Sequence, residues 1–264
     1  MALVTLEDYD TVAVLRMNNG VTNAIGPAMV EDLLFAFREI KDCYKGVVLA
    51  GGNKFFSIGL NLPELLTMGR SEMVAFWTRF EDTVLEIYGL PMPTACAIAG
   101  HAPAAGTILA LTCDFRFIAA GRYLVGLNEI KLGLPVPYLA TRMLRQVVSG
   151  RAAKVVEYEG ELMMPEEAKI IGLVDEVLPV EEVEKRAIDK IAKIPPQNLF
   201  GIKVMKQCRG AELRTQFLSE RVSINEAFMD CWFHPSVQSL LKEASKTFWL
   251  QKMPEDKNAK SKLS

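Results

Sequence analysis

Residues 97–114 read AIAGHAPAAGTILALTCD, and no other stretch of this chain says as much about its fold. The pattern predicts a short apolar strand, a turn of small residues and a strongly apolar helix. Small residues let a ligand approach the backbone, and the first N–H groups of a helix have no partner within it. Such a turn can therefore stabilise negative charge on a bound molecule.

The helix that follows this turn carries no carboxylate in its first turns. The nearest plausible acid–base group is Glu129, in the segment 126–133 that reads GLNEIKLG. One carboxylate beside an anion-stabilising turn indicates that a single proton is moved back and forth. Addition of water by a pair of carboxylates is disfavoured by the same pattern.

Apolar segments of strand and helix type alternate along the first half of the chain. We predict strands at 11–17, 46–50, 94–99 and 115–119, with 123–126 as a further candidate, and helices at 25–42 and 71–88. Strands separated by helices of this length imply crossover connections and a largely parallel sheet, so the fold class is α/β. After Pro135 the chain is mainly helical, and helical apolar spacing covers 181–194, 197–209, 211–233 and 236–252.

Composition narrows the class of protein further. Half of the 264 residues are hydrophobic, which supports a sizeable core, and the net charge of −2 argues against a nucleic-acid partner. The five cysteines are scattered without a CxxC pair, which fits a reducing compartment and disfavours a disulfide framework or a metal site. We find no signal peptide and no 18-residue apolar run, and expect no membrane contact. These features predict a cytoplasmic protein, or a mitochondrial-matrix protein whose transit peptide has been removed.

Three segments in order resemble the crotonase superfamily, also called the enoyl-CoA hydratase/isomerase family. They are NKFFSIGLNL at 53–62, the turn and helix at 100–114, and LNEIKLGLP at 127–135. The resemblance covers roughly residues 10–195. It implies a crotonase (ClpP/crotonase-like) fold, in which repeated ββα units form a spiral core. A core with a CoA-thioester site would then occupy residues 1–195, a helical trimerisation region 196–254 and a polar tail 255–264.

The resemblance also assigns roles to individual residues. In the family, two backbone N–H groups hold the thioester oxygen of the substrate, and they correspond here to Leu60 and Ala105. Relatives usually have Asp in place of Asn61 and Gly in place of Ala105; backbone donors survive both changes, but Ala105 then needs an ordinary backbone conformation. The expected contacts to the acyl-CoA substrate are Phe56, Ile58, Asn61 and Ile108, although Phe56 fits a core position better.

The carboxylates distinguish the reactions within the family. Hydratases carry two glutamates, and the matching positions here are Ile108 and Glu129. The sequences of the two segments around Ile108 and Glu129 resemble those of the mitochondrial-type delta-3,delta-2-enoyl-CoA isomerases of fatty acid β-oxidation. These move a proton from C2 to C4 through a single glutamate while an oxyanion hole holds the dienolate. An apolar surrounding from Leu127, Ile130 and Ile108 would raise the pKa of that glutamate.

Alternatives stay open at this stage. Hydration, or another crotonase-type reaction on an acyl-CoA, is the second candidate, and a non-catalytic acyl-CoA-binding protein is a candidate of a different class. His101 lies beside the small-residue turn and could be a second acid, but a lone histidine after a strand is more often structural. The resemblance implies no cofactor beyond the CoA of the substrate, and it implies assembly as a homotrimer or hexamer.

Overall fold

A six-stranded sheet forms the centre of the molecule, for which a computed structural model describes residues 2–41 and 43–251. Its strands are β1 (Val4–Tyr9), β2 (Val12–Met17), β3 (Gly46–Ala50), β4 (Thr94–Ile98), β6 (Phe115–Ala119) and β8 (Glu176–Leu178), and a separate pair is formed by β5 (Ala102–Pro103) and β7 (Val125–Gly126). The strand order is β1-β2-β3-β4-β6-β8, and only the β1–β2 pairing is antiparallel. The predicted largely parallel sheet is therefore confirmed.

The helices surround this sheet. They are α1 (Pro27–Ile40), α2 (Leu62–Leu65), α3 (Arg70–Tyr88), α4 (Ala105–Thr112), α5 (Tyr138–Val147), α6 (Gly150–Glu159), α7 (Pro165–Ile170), α8 (Val180–Ala192), α9 (Pro196–Trp232) and α10 (Pro235–Gln251), with a 3₁₀ helix at Glu129–Leu132. Within the described residues, α8 alone covers one face of the sheet, where Val14, Val48 and Ala97 contact it. The other face carries Leu15, Leu49 and the larger core under the remaining helices. Both faces are buried, which explains the continuous apolar strands of the sequence.

Short bridges outside the main sheet explain how the predicted ββα units repeat. After each of β3, β4 and β6 the chain makes a second extended segment, and these segments pair with one another. Phe55 bridges to His101, Ala102 pairs with Val125, and Val125 bridges to Met163. Each turn of the chain thus adds one strand to the large sheet and one short segment to this second stack.

The C-terminal region differs from the prediction in one respect. Residues 197–233 were expected to form two helices interrupted near Gly210, but α9 is a single helix of 37 residues. A Cβ atom on Gly210 would lie 2.8 Å from the Cα of Gly89, at the end of α3. Gly210 is therefore the point of closest approach between two backbones and does not end the helix.

Buried charges attach α9 to the sheet. Lys206 Nζ lies 2.6 Å from one carboxylate oxygen of Asp114, and Arg209 lies 2.9 Å from the other. Burial acts to raise the pKa of the Asp114 carboxyl, but the two cations outweigh it and hold this pKa below its ordinary value. The division at residues 195/196 stays a prediction, although α9 begins at Pro196, and the tail at 255–264 lies outside the described residues.

Candidate active site

A pocket of about 1050 Å³, its open mouth included, lies where the second extended segments meet α3, α4, α9 and α10. The loop after β3 contributes Ile58, Leu60 and Asn61, the α4 turn contributes Ala104, Ala105 and Ile108, the segment after β7 contributes Asn128 and Glu129, and the helices contribute Trp77, Phe80, Phe228, Trp232, Leu241 and Ala244. The three motifs of the sequence analysis, separated by as many as 70 residues, are thus brought together at one site.

The loop after β3 directs the N–H of Leu60 away from its neighbouring chain segment. Ile25 donates to the carbonyl oxygen of Gly59 at 2.8 Å, and Asn61 donates to the carbonyl oxygen of Ile25 at 2.9 Å. Ile25 and Leu60 form a parallel bridge, in which the neighbours of Leu60 along the chain, Gly59 and Asn61, make the two hydrogen bonds to Ile25. The N–H of Leu60 consequently makes no hydrogen bond to another described residue.

Ser57 fixes the conformation of the same loop. Its hydroxyl donates to the carbonyl oxygen of Asn23 at 2.8 Å and accepts from the N–H of Gly59 at 3.2 Å. Gly59 has a φ of +97°, a conformation that favours glycine. The Ser57 hydroxyl, bonded to Gly59 of its own loop and to Asn23 before α1, thus holds the loop against a neighbouring segment.

The α4 turn supplies a second unpaired N–H. Ala105 is the first residue of α4, and its N–H has no hydrogen-bond partner among the described residues. An ideal Cβ on Gly59 would lie 3.4 Å from the nitrogen of Ala105, so the loop and the turn are in direct contact. The N–H groups of Leu60 and Ala105 therefore border the same part of the pocket and can act as a pair of donors.

Backbone strain lies one residue earlier than the sequence comparison suggested. Ala105 is helical, whereas Ala104 has a φ of 50° and a ψ of −119°. These angles are close to those of the first central residue of a type II′ turn, a position that is ordinarily occupied by glycine. The N–H of Ala104 donates to the carbonyl oxygen of Gly126 at 2.8 Å, which helps to hold the turn in this conformation.

Glu129 is the only carboxylate on the pocket wall within the described chain. Glu129 is the first residue of the 3₁₀ helix and is only 7% exposed to solvent. Its Oε2 atom has no hydrogen-bond partner among the described residues. Burial raises the pKa of this carboxyl to about 7. A carboxylate with a pKa near neutrality can both accept and return a proton.

The other residues singled out in the sequence fall into two groups. Ile58, Asn61 and Ile108 line the pocket, and the amide of Asn61 donates to a carboxylate oxygen of Glu64 at 2.6 Å. Phe56 is fully buried in the core and does not reach the pocket wall. The structure thus gives Phe56 a packing role in place of the expected substrate contact.

His101 also lies outside the pocket wall. Its Nδ1 accepts a hydrogen bond from the N–H of Leu124 at 3.0 Å, and its ring packs between Phe55 and Tyr123. Burial, with a contribution from Lys54, lowers the pKa of the imidazole below its ordinary value. The structural interpretation of this histidine agrees with these contacts.

Sequence reasoning missed the aromatic part of the pocket. Trp77 of α3 stacks on Phe228 of α9 with ring centroids 4.0 Å apart, and Phe80 and Trp232 adjoin this pair. These residues lie in segments that the sequence predicts as helices, 71–88 and 211–233. The pattern contained no signal that the surface between these helices is also the wall of a cavity.

The match to a family of known proteins covers nearly the whole chain. The family model described as enoyl-CoA hydratase/isomerase matches residues 7–249. The chain belongs to the enoyl-CoA hydratase/isomerase family. The resemblance drawn from the three sequence segments is thereby confirmed, and with it the crotonase fold.

Individual members of this family show how close the similarity is. The human protein "Enoyl-CoA delta isomerase 1, mitochondrial" is 32% identical over 186 residues, which cover 69% of this chain and 62% of its own length. A probable enoyl-CoA hydratase of Mycobacterium avium is 32% identical over 174 residues, covering 65% of this chain and 67% of its own length. Isomerases and hydratases are thus similarly related in sequence to this chain.

Solved structures of the family superpose well on this fold. The crystal structure of human mitochondrial delta3-delta2-enoyl-CoA isomerase has a TM-score of 0.87 at 27% identity, covering 95% of this chain and 100% of that one. An enoyl-CoA hydratase from Mycobacterium marinum has a TM-score of 0.78 at 27% identity, covering 86% and 99%. The family membership makes this chain a relative of enzymes that process acyl-CoA thioesters.

In residues 2–41 and 43–251 there is no group of three or more His, Cys, Asp or Glu side chains that could hold a metal ion. Over the same part of the chain, no helix is both long enough and apolar enough to cross a bilayer.

Proposed function

We propose that this protein is a delta-3,delta-2-enoyl-CoA isomerase, which converts 3-enoyl-CoA to trans-2-enoyl-CoA in fatty acid β-oxidation. The observation that carries the proposal is Glu129, the single carboxylate on the pocket wall among the described residues, in the same pocket as two unpaired backbone N–H groups. Ile108 occupies the position at which hydratases of the family carry their other glutamate, and it lines the same pocket.

The reaction needs one base and one site for negative charge. The ionised Glu129 carboxylate takes a proton from C2, and the electrons of that C–H bond move toward the thioester oxygen. The N–H groups of Leu60 and Ala105 donate to this oxygen and stabilise the dienolate. Glu129 then returns its proton to C4, so the double bond moves from C3–C4 to C2–C3 with no net gain or loss of atoms.

Hydration is the second candidate, supported by the similarity to hydratases of the family. It requires a second polar group that holds and polarises water beside the double bond, and the Ile108 side chain offers none. A non-catalytic acyl-CoA-binding protein is the third candidate. It is disfavoured because a protein that only binds gains nothing from a buried, unpaired carboxylate, which costs stability.

The decisive experiment compares two substrates in the wild-type protein and in the Glu129→Gln variant. We expect 3-hexenoyl-CoA to be isomerised, with absorbance of the conjugated thioester as the signal, and crotonyl-CoA to be hydrated far more slowly. The variant should retain its fold and CoA binding but lose roughly 100- to 10,000-fold in isomerisation rate, which is typical for removal of a general base. Near-normal turnover in the variant would exclude Glu129 as the base, and hydration at or above the isomerase rate would reverse the assignment.

The remaining functional predictions concern assembly and location. We propose an acyl-CoA thioester as the small-molecule partner and a homotrimer or hexamer as the assembled form. One support is an apolar stripe on α9, formed by the exposed side chains of Phe200, Val204, Leu218 and Val222. The other is the trimeric assembly that the family resemblance implies. Free cysteines throughout the described chain support the proposed cytoplasmic or mitochondrial-matrix location.

A further inference from the structure

We propose that the side-chain amide of Asn128 is a third hydrogen-bond donor to the dienolate oxygen, beside the two backbone N–H groups. The inference rests on the proposed isomerase function and deepens it. Neither the sequence pattern nor the family comparison assigned a role to this residue.

The first observation is an unpaired amide at the pocket wall. Asn128 is only 4% exposed, yet it lines the pocket directly before Glu129 in the chain. Its side chain makes no hydrogen bond to another described residue, and neither of its amide atoms is among the fully enclosed, unpaired polar atoms of the described chain. Packing gains nothing from a nearly buried amide that no protein group pairs with, so an Asn at this position is better explained by a ligand.

The second observation is the backbone geometry that places Asn128 near Ala105. The strands β5 and β7 run parallel, with Ala102 opposite Val125 and Pro103 opposite Gly126. Adjacent strands lie about 4.8 Å apart, and the chains leave the two strands at the same end. Ala105 lies two residues after the end of β5, and Asn128 lies two residues after the end of β7. The backbone of Asn128 is therefore placed close to the N–H of Ala105.

Packing on the opposite side leaves the pocket as the open direction for the side chain. An ideal Cβ on Gly160, which ends α6, would lie 3.5 Å from the Cα of Asn128 and 2.6 Å from the side chain of Ile130. The backbone of Asn128 is therefore pressed against α6. Gly160 and the Ile130 side chain thus occupy the space on that side of the Asn128 backbone.

The chemistry of the reaction gives an amide donor at this place a purpose. During proton abstraction a full negative charge develops on the thioester oxygen, while a neutral thioester in the ground state carries little. A fixed N–H donor aimed at the developing charge stabilises the transition state more than the bound substrate. The Asn128 amide would thus increase the rate of proton abstraction and change ground-state affinity little.

The test compares a ligand that can form an enolate with one that does not. Acetoacetyl-CoA can transfer its C2 proton to Glu129 and form an enolate with a distinct ultraviolet band, whereas butyryl-CoA stays a neutral thioester. In the Asn128→Leu variant we expect the enolate band to form only at higher pH and isomerisation of 3-hexenoyl-CoA to fall by roughly 100-fold. Affinity for butyryl-CoA should stay within about threefold, because that ligand carries no charge on its oxygen.

Asn128→Asp is the matched variant, since it keeps the shape of the side chain and replaces the NH₂ donor by a carboxylate oxygen. We expect it to lose at least as much activity as the leucine variant, and thermal melting shows whether the variant is folded under the assay conditions. A folded aspartate variant with wild-type turnover and a wild-type enolate band would overturn the inference, whatever the leucine variant does. Equal losses of affinity for both ligands would also overturn it, because they indicate a structural role. If the wild-type protein neither isomerises 3-hexenoyl-CoA nor forms the band, the proposed function itself fails.

Discussion

The Glu129 carboxyl, the proposed base, couples the proposed catalysis to stability within one residue. Burial raises its pKa to about 7 from an ordinary value of 4.5, so between these values the folded protein binds a proton that the unfolded chain releases. The stabilising contribution of the protonated carboxyl is present at low pH and is lost as pH rises through 7. The active, ionised form of the base is therefore the less stable form of the protein.

Replacing this base should stabilise the protein in a pH-dependent way. The Glu129→Gln variant is neutral at every pH, so we expect it to be more stable than wild type by up to about 3 kcal/mol at pH 8 and by less than about 1 kcal/mol at pH 5. Denaturant unfolding at both values measures the difference. Glu39→Gln, a change at an exposed position of α1, is the control and should leave stability unchanged. The same gain at pH 5 and pH 8 would contradict the assigned shift.

At the scale of an element, α9 shows that a glycine in a helix is not always a weak point. Gly210 and Gly201 both lie in α9, but only Gly210 touches another backbone, that of Gly89. The space around Gly201 is open. The same substitution at the two sites thus separates helix propensity from packing.

We expect alanine to have opposite effects at these two glycines. Gly201→Ala should stabilise the protein by about 0.5–1 kcal/mol, since alanine is the better helix former. Gly210→Ala should destabilise it by about 1–3 kcal/mol, because the new methyl group would lie 2.8 Å from the Cα of Gly89. Chemical denaturation of both variants measures these changes. Stabilisation by both would mean that α3 and α9 can separate without cost.

At the scale of the whole molecule, α9 also presents an apolar stripe to the outside. Its exposed members are Phe200, Val204, Leu218 and Val222. Residues 18 apart are in phase on an α-helix, so 200 aligns with 218 and 204 aligns with 222. An exposed apolar stripe of this length on a monomer is typical of an interface.

We therefore expect light scattering at micromolar concentration to give a mass three or six times the 29.3 kDa of one chain. Val222→Glu should shift the mass toward that of the monomer, because it places a charge at one of the two most exposed apolar residues of the proposed contact. Ile170→Glu is the control, since it changes an equally exposed apolar residue of α7. A wild-type protein that stays monomeric would refute the assembly.

The parts of the fold and site that could be predicted from sequence are those encoded by a few neighbouring residues. The small-residue turn before α4, the loop that ends at Leu60 and the segment around Glu129 each carry their own signal. β1 was missed because most of its residues are exposed on an edge strand and lack a regular apolar pattern. The aromatic pocket wall was missed because it forms only when α3 and α9, distant in sequence, pack together. The strain at Ala104 was missed for a similar reason, since nothing in its neighbours reveals the sign of its φ.

The tryptophan positions have a consequence for spectroscopy. The chain holds three tryptophans, and two of them, Trp77 and Trp232, line the pocket. Indole fluorescence responds to the polarity and quenching groups around the ring. An acyl chain entering the pocket packs against the wall that both buried indoles help to form and changes their surroundings, so the intrinsic emission of the unlabelled protein reports occupancy. Saturated, non-reactive thioesters can then be ranked by affinity, which an assay of turnover cannot do.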